Sequence, residues 1–337
     1  MVKDKNILFS TDGILGYKED VEKTLKEKFK TVEYIGNYFP QKSERTLYFK
    51  ILREGSKKSN VIKKIYIKYI ENYYCQLLDN YKNIRFDYFL VVAGQEFSKE
   101  FIQELKRRNP GIKCILYLWD KFEYTTLQKS AEEFDYIFSF DPEDCKKYSF
   151  YFRPIFYIED CEKDTIKYEK RKYDIFYIGG LREKKRYHII DKIYSYSIAN
   201  NLSFFLKLIT KEPEKFLNQE ILSTVKISYD KNRKLLKDSK VVLDLNLEKQ
   251  SGLTIRAAEA IGTKTKLITT NKYIKNYDFY NSENIFFINK IEDVTLIPKQ
   301  FFTNKYLEIP TKVKDRYTTK GFIEEIFEKV EGGIYER

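Results

Sequence analysis

Lys249-Gln250-Ser251-Gly252-Leu253-Thr254-Ile255-Arg256-Ala257-Ala258-Glu259-Ala260-Ile261-Gly262, followed by Lys266-Leu267-Ile268-Thr269-Thr270-Asn271, is the most informative run of the chain. A polar Ser-Gly step opens it, a helix-favouring Ile-Arg-Ala-Ala-Glu-Ala segment follows, a glycine stops the helix and a short apolar strand succeeds it. The pattern is loop, helix, strand. The first amides of such a helix have no intrahelical partner and the positive end of its dipole lies there, so a phosphate is a natural guest. Glu259 stands two turns further in, roughly 10 Å along the axis at the usual rise. That is about the offset between a bound pyrophosphate and the ribose hydroxyls of the same nucleotide, so the unit suits a sugar nucleotide.

This segment resembles the donor-binding helix of GT-B glycosyltransferases, in which a glycine-containing loop meets the diphosphate and a glutamate in a Glu-Ala-x-x-Gly context takes the ribose. Gly252, Glu259, Ala260 and Gly262 carry the match, and Lys266 to Thr270 match the strand that follows. Retaining members of that fold often place a second glutamate eight residues ahead of the first. Ser251 occupies that position here, so the sequence leaves the anomeric outcome open.

A second signal lies upstream, where Tyr173-Asp174-Ile175-Phe176-Tyr177-Ile178-Gly179-Gly180 reads as a strand ending in a glycine turn, with Lys184, Lys185 and Arg186 just beyond. Glycines allow close backbone approach to a ligand, and cations placed after them neutralise a diphosphate leaving group. The run resembles the start of the GT-B donor domain, with Gly179, Gly180, Lys185 and Arg186 at the matching positions. What the resemblance implies is an α/β protein of GT-B fold, two Rossmann-like domains with a deep interdomain cleft. The donor nucleotide sugar is then held by Gly179, Gly180, Lys185, Arg186, Ser251, Gly252, Leu253, Thr254, Arg256 and Glu259.

The N-terminal half alternates strands and helices. Strands are expected at Asn6 to Ser10, Val32 to Ile35, Asp87 to Ala93, Lys113 to Leu118 and Asp135 to Ser139, and helices at Tyr17 to Phe29, Val61 to Tyr81 and Ser98 to Arg108. Asp141-Pro142 is a proline-started helix cap. Alternation of this kind implies a parallel sheet covered on both faces, with its ligand site at the carboxyl ends of the strands. Those ends carry Asp12, Glu96, Asp120 and Asp141. An inverting transfer needs a base for the attacking hydroxyl, and the only histidine, His188, lies in the other half. The expected base is therefore a carboxylate, Asp120 first, then Asp12 and Glu96, although aspartate at a strand-to-helix turn also serves as a cap.

Between Tyr151 and Lys172 the periodicity breaks around Arg153-Pro154 and a charged run, which reads as a linker. The expected organisation is an acceptor-binding domain over 1–153, a linker over 154–172, a nucleotide-sugar domain over 173–312 and, by resemblance, a terminal helix over 313–337 that crosses back to the first domain. Further strands are expected at Leu202 to Leu208, Lys240 to Leu245 and Asn284 to Ile288, a short helix at Asp230 to Leu236 and a last helix at Thr319 to Val330.

The chain has 337 residues and a net charge of +12, enough length for two cores and enough charge to attract polyanions. Its 62 basic residues are interleaved with 50 acids and form no long basic tract, which argues against nucleic acid as the partner. The four cysteines lack C-x-x-C spacing and point to neither zinc nor a disulfide framework. Without an apolar leader or a spanning run the reading is cytoplasmic, with the inner face of the cell membrane as a second location the charge allows. The basic and aromatic Val61 to Tyr81 helix suits such a surface, and equally suits a core-facing helix with a solvated lysine face.

The resemblance to GT-B glycosyltransferases implies transfer of a sugar from a nucleoside-diphosphate donor, UDP-linked, to a saccharide or lipid-linked acceptor in bacterial surface polysaccharide synthesis. No cofactor is expected, and no metal, because helix dipole and cations take over its work and no Asp-x-Asp motif sits at a suitable strand end. The competing readings are a nucleic-acid or membrane-surface binding protein and a UDP-sugar epimerase of the same fold.

Overall fold

The computed structural model describes residues 2–11, 16–36, 46–92, 97–181, 183–247 and 250–332. It separates into two compact units, Met1–Arg153 with Phe327–Arg337, and Pro154–Ile326.

The first unit contains β1 (Asn6–Thr11), α1 (Tyr17–Lys28), β2 (Thr31–Tyr34), α2 (Leu47–Ser56), α3 (Asn60–Leu77), β3 (Tyr88–Val92), α4 (Lys99–Arg108), β4 (Lys113–Leu118), β5 (Tyr136–Ser139), α5 (Pro142–Tyr148) and β6 (Tyr151–Phe152). All strand pairs are parallel, in the order β2-β1-β3-β4-β5-β6. As expected of strands covered on both faces, the central β3 and β4 are apolar without alternation, and every residue of β3 is buried. The helices start where side chains satisfy their free amides: Ser98 Oγ accepts from Phe101 N at the start of α4, and Asp141 accepts from the amides of Glu143 and Asp144 ahead of α5. Lys106, Arg107 and Arg108 close α4 at the negative end of its dipole.

Two features depart from the sequence reading. The expected Val61 to Tyr81 helix ends at Leu77 and tightens into a 3-10 turn over Leu78–Tyr81. It buries Ile70 and Tyr74 in the core and exposes Lys63, Lys64 and Lys68, so its inner face is core-facing. Ahead of it stands α2, which the periodicity did not reveal. The pair is joined by a short turn, and the ring of Tyr48 lies 5.6 Å from that of Tyr69.

The second unit contains β7 (Tyr173–Gly180), α6 (Lys184–Ala199), β8 (Phe204–Ile209), β9 (Leu222–Ser223), α7 (Tyr229–Lys237), β10 (Ser239–Asp244), α8 (Ile255–Gly262), β11 (Lys266–Thr269), β12 (Ile285–Phe287), α9 (Gln300–Thr303), α10 (Thr311–Arg316) and the first part of α11 (Thr319–Glu331). Its parallel strands follow the order β12-β11-β10-β7-β8-β9, the Rossmann order in which the winding reverses between β7 and β10. At the amino edge of this sheet the buried Arg171 donates to the carbonyls of Ser239 (2.9 Å), Lys264 (3.0 Å) and Thr263 (2.7 Å), fastening the preceding segment to β10 and to the α8–β11 turn.

Residues from Pro154 onward group with this second unit, and Tyr157 and Cys161 pack on α8. A Cβ on Gly262 would lie 2.6 Å from the Tyr157 ring and 2.9 Å from Cys161 Cβ, so close packing demands glycine there. Helix α11 starts in the second unit, where Phe322 stacks on Phe156 at 4.0 Å. Its residues from Phe327 belong to the first unit, where Phe327 lies 4.9 Å from the ring of Phe29 and Lys113 Nζ donates to Val330 O.

Candidate functional site

A doubly wound sheet opens a crevice beyond the carboxyl ends of its strands where the winding reverses, here between β7 and β10. Two arginines straddle that point. Arg186, near the start of α6, donates to Gly180 O (3.3 Å) and Leu245 O (2.7 Å). Arg256, on the first turn of α8, donates to Ile178 O and Leu243 O, and its guanidinium lies 5.1 Å from the centre of the Tyr177 ring. Each therefore ties the end of β7 to the end of β10 and keeps a positive charge at the crevice.

The start of α8 is held by a chain of hydroxyls. Thr254 Oγ1 accepts from Ala257 N (3.1 Å) as the helix cap and donates to Asp244 Oδ1 (2.7 Å), the last residue of β10. Thr269 Oγ1, at the end of β11, donates to the other oxygen of Asp244 (3.2 Å). The loop before the helix is drawn in by two asparagines: Asn271 Nδ2 donates to Gly252 O (3.1 Å) and Ser251 O (3.4 Å), and Asn246 Nδ2 to Gly252 O (3.3 Å). Ser251, Gly252 and Leu253 are buried as a result.

Glu259 lies on the buried face of α8, 3% exposed, and accepts a hydrogen bond from the Tyr229 hydroxyl on α7. Burial pushes its pKa up, against the Tyr229 bond and the charges of Arg256 and Arg233. Asp244 is raised for the same reason, against the Thr254 hydroxyl and the charge of Arg256. Burial likewise raises the Tyr229 phenol, and the Glu259 carboxylate adds to the shift. Two buried acids thus stand beside the point where the winding reverses with hydroxyl partners, while Arg186 and Arg256 bond to backbone carbonyls and Arg233 pairs with Asp160.

Beside them is a pocket of about 180 Å³ lined by the ends of β10, β11 and β12 and the start of α6. Ile189, Leu245 and Phe287 give it apolar walls, Asn246 and Asn289 supply amides, and Lys185 and Lys272 supply cations. Asn246 Oδ1 and Arg186 Nε are buried without a hydrogen-bond partner among the described residues. Apolar walls with amide edges suit a flat heterocycle, and ammonium groups at the rim suit a phosphate.

The residues expected to hold a donor are brought to this one edge. Gly179 and Gly180 end β7, Lys185 and Arg186 open α6, Ser251 to Thr254 lead into α8, and Arg256 and Glu259 lie on it. Arg186 and Arg256 are engaged with strand-end carbonyls. Asp244, Asn246, Asn271 and Tyr229 were not singled out from the sequence. The Asp-Leu-Asn step closing the Val-Val-Leu strand was the available signal for the first two, whereas Tyr229 is 30 residues from its partner and carries no local mark.

In the first unit the winding reverses between β1 and β3, whose last residues Thr11 and Val92 pair. Asp12 follows the first of these directly, and both Asp12 and Glu96 lie outside the described residues. Asp120 is exposed, two residues beyond β4. Asp141 is fully buried as the cap of α5. His188 is on the exposed side of α6. No helix among the described residues is long and apolar enough to cross a membrane.

No family model matches the chain, and no curated protein is found similar to it. Solved structures are similar over nearly the whole length. A trehalose-phosphate synthase (UDP-forming) from Burkholderia xenovorans, bound to glucose-6-phosphate, superposes with a TM-score of 0.59 at 11% identity, over 97% of this chain and 100% of that one. An α-glucosyltransferase in complex with UDP and a 13-mer DNA gives 0.55 at 13% identity, over 96% and 95%. The fold is GT-B. A UDP-N-acetylglucosamine 2-epimerase gives 0.53 at 11% identity, over 100% and 98%. At such identities the likeness speaks for the fold, which agrees with the resemblance read from the sequence.

Proposed function

We propose that the chain is a glycosyltransferase that takes its sugar from a nucleoside-diphosphate donor, UDP-linked, through the second unit. The observation that carries this reading is Glu259: a carboxylate withdrawn from water, without a salt-bridge partner among the described residues, on a helix whose start is fixed at the reversal of the winding. Such an acid costs stability and is kept where a ligand's hydroxyls need it. In this reading Glu259 accepts from the ribose hydroxyls and the start of α8 with Lys185 holds the diphosphate. Arg186 and Arg256 add their charge from behind the strand ends. The base occupies the pocket beside Asn246 and Phe287. A carboxylate of the first unit, Asp120, Asp12 or Glu96, takes the proton from the acceptor hydroxyl.

The acceptor in this proposal is a saccharide or a lipid-linked saccharide of bacterial surface polysaccharide synthesis, and the place of action the cytoplasmic side of the membrane. No step is assigned to a metal or a cofactor. The test is calorimetry with UDP, GDP and UDP-sugars. UDP is expected to bind, and Glu259→Gln to weaken it roughly 10- to 100-fold, the worth of hydrogen bonds to a charged group. If neither diphosphate binds, the reading is lost. The likeness to the epimerase gives a second reading, which product analysis separates: an epimerase converts the UDP-sugar with no acceptor present.

A further inference from the structure

The first unit carries an apolar surface that its own core does not use. In α2, Phe49 and Leu52 are buried, whereas Leu47, Tyr48 and Ile51 are 73%, 54% and 60% exposed. In α3, Ile70 and Tyr74 are buried, whereas Val61 and Ile65 are 68% and 46% exposed. The two helices run antiparallel and side by side, since Tyr48 meets Tyr69 towards one end and Gly55 abuts Ile62 at the other. In each helix the exposed apolar residues stand on the side away from the buried ones, so in an antiparallel pair both stripes fall on the same outer face. Leu47, Ile51, Val61 and Ile65 thus form one apolar surface on the outside of the hairpin.

The charge around it says what it meets. From Thr46 to Asn72 there are seven lysines and arginines and two glutamates, and one of the two, Glu54, is paired with Lys57 at 2.7 Å. Lys50, Lys58, Lys64 and Lys68 are exposed beside the apolar residues. A second copy of this face would bring like charges together, so the complementary partner is anionic. Aliphatic tips need hydrocarbon, and lysine stems lie along an apolar layer while their ammonium groups reach outward to phosphate. A flat pair of helices with that arrangement is the form of an in-plane interfacial element. We propose that the α2–α3 hairpin docks the protein on an anionic lipid surface, with Leu47, Ile51, Val61 and Ile65 entering the boundary between headgroups and acyl chains and the lysines contacting lipid phosphates. The inference rests on the first unit alone and holds whatever the second unit binds.

The full chain is sedimented with vesicles of equimolar phosphatidylcholine and phosphatidylglycerol, and with vesicles of phosphatidylcholine only. It is expected to pellet with the first and not the second, and to be released as ionic strength rises. The variant Leu47→Ser/Ile51→Ser/Val61→Ser/Ile65→Ser changes exposed positions only, so its thermal midpoint should match the parent. Its partition onto the anionic vesicles should fall about a hundredfold. Three results would overturn the proposal: no binding to anionic vesicles, a quadruple variant that binds as well as the parent, which makes the adsorption one of charge alone, or light scattering that shows a dimer dissolved by the quadruple variant, which makes a second copy the occupant.

Discussion

The two units have parallel sheets of the same size, yet they treat acids near their strand ends differently. In the first, Asp141 accepts two backbone amides as a cap, Asp135 accepts the Cys114 amide at 2.7 Å and a bond from Lys106, and Glu104 is bracketed by Arg107 and Arg108. In the second, Asp244 and Glu259 are wholly buried with hydroxyl donors, while Arg186 and Arg256 bond to carbonyls and Arg233 pairs with Asp160. An amide or a guanidinium stabilises a carboxylate more than a hydroxyl does. The first arrangement serves folding. In the proposed function the second sacrifices some stability to keep acceptors ready for a ligand.

The contrast exists inside the second unit too, between its amino and carboxyl edges, and Arg171 marks the amino one. Its guanidinium also donates to Ile166 O and Thr265 Oγ1, and burial lowers its pKa without loss of its role as a donor. Arg171→Ala leaves several buried carbonyls without a donor and should cost about 3–5 kcal/mol in urea unfolding. UDP affinity of the remaining folded protein should be unchanged. A variant of normal stability that binds UDP poorly would break the division between a structural and a binding edge.

The next effect separates the units by pH. Glu259 and Asp244 have folded pKa values raised by burial, so the native state favours their protonated forms. The stability this gives is complete below the unfolded values and is lost as pH rises through the raised ones. Glu104 runs the other way. The hydrogen bonds from Arg107 and then Arg108 hold it down to about 2, so its contribution is present above its unfolded value and is lost as pH falls towards that figure. Glu259→Gln should therefore stabilise the second unit at pH 8 and change it little at pH 4. Thermal unfolding across that range checks it, and a variant destabilised at pH 8 would mean that Glu259 belongs to the fold and not to the site.

How far the sequence showed this depends on whether a residue's role is local. The Ser-Gly step, the Thr254 cap and the Glu259 spacing lie within one stretch, and the strand runs are legible because a sheet covered on both faces needs unbroken apolar residues. Helix α2 escaped because it is only 10 residues long and its apolar arc is broad, running from Phe49 and Leu52 at the core round to Leu47 and Ile51 on the outside. The same double use creates the docking face. Arg186 and Arg256 were legible as cations near a glycine turn, but which carbonyls they meet depends on the strand order, and no single stretch holds that. Tyr229 was invisible because its partner comes from another helix.

The smallest effect concerns that tyrosine, and it sharpens the comparison most, because it asks whether the hydroxyl partners at the binding edge are there for the ligand. If Glu259 takes ribose hydroxyls, it accepts them most strongly when ionised and fixed in one rotamer. The Tyr229 hydroxyl contributes to both, being the foremost influence that opposes the rise caused by burial. Arg256 and Arg233 act in the same direction, and neither is removed by Tyr229→Phe. The variant should hold its fold, since the ring stays against Arg233 at 4.7 Å. With the hydroxyl gone, burial is opposed by less, the folded pKa of Glu259 rises further and its protonated form persists to higher pH. UDP affinity should then fall about threefold, the worth of one hydrogen bond to a charged group, with the larger loss at pH 6.5 and the smaller at pH 8.5. With 2′,3′-dideoxy-UDP parent and variant should bind alike at both pH values. An equal loss for both nucleotides, or one that ignores pH, would mean that Tyr229 only fills space between α7 and α8, and Glu259 would have to be oriented by α8 itself.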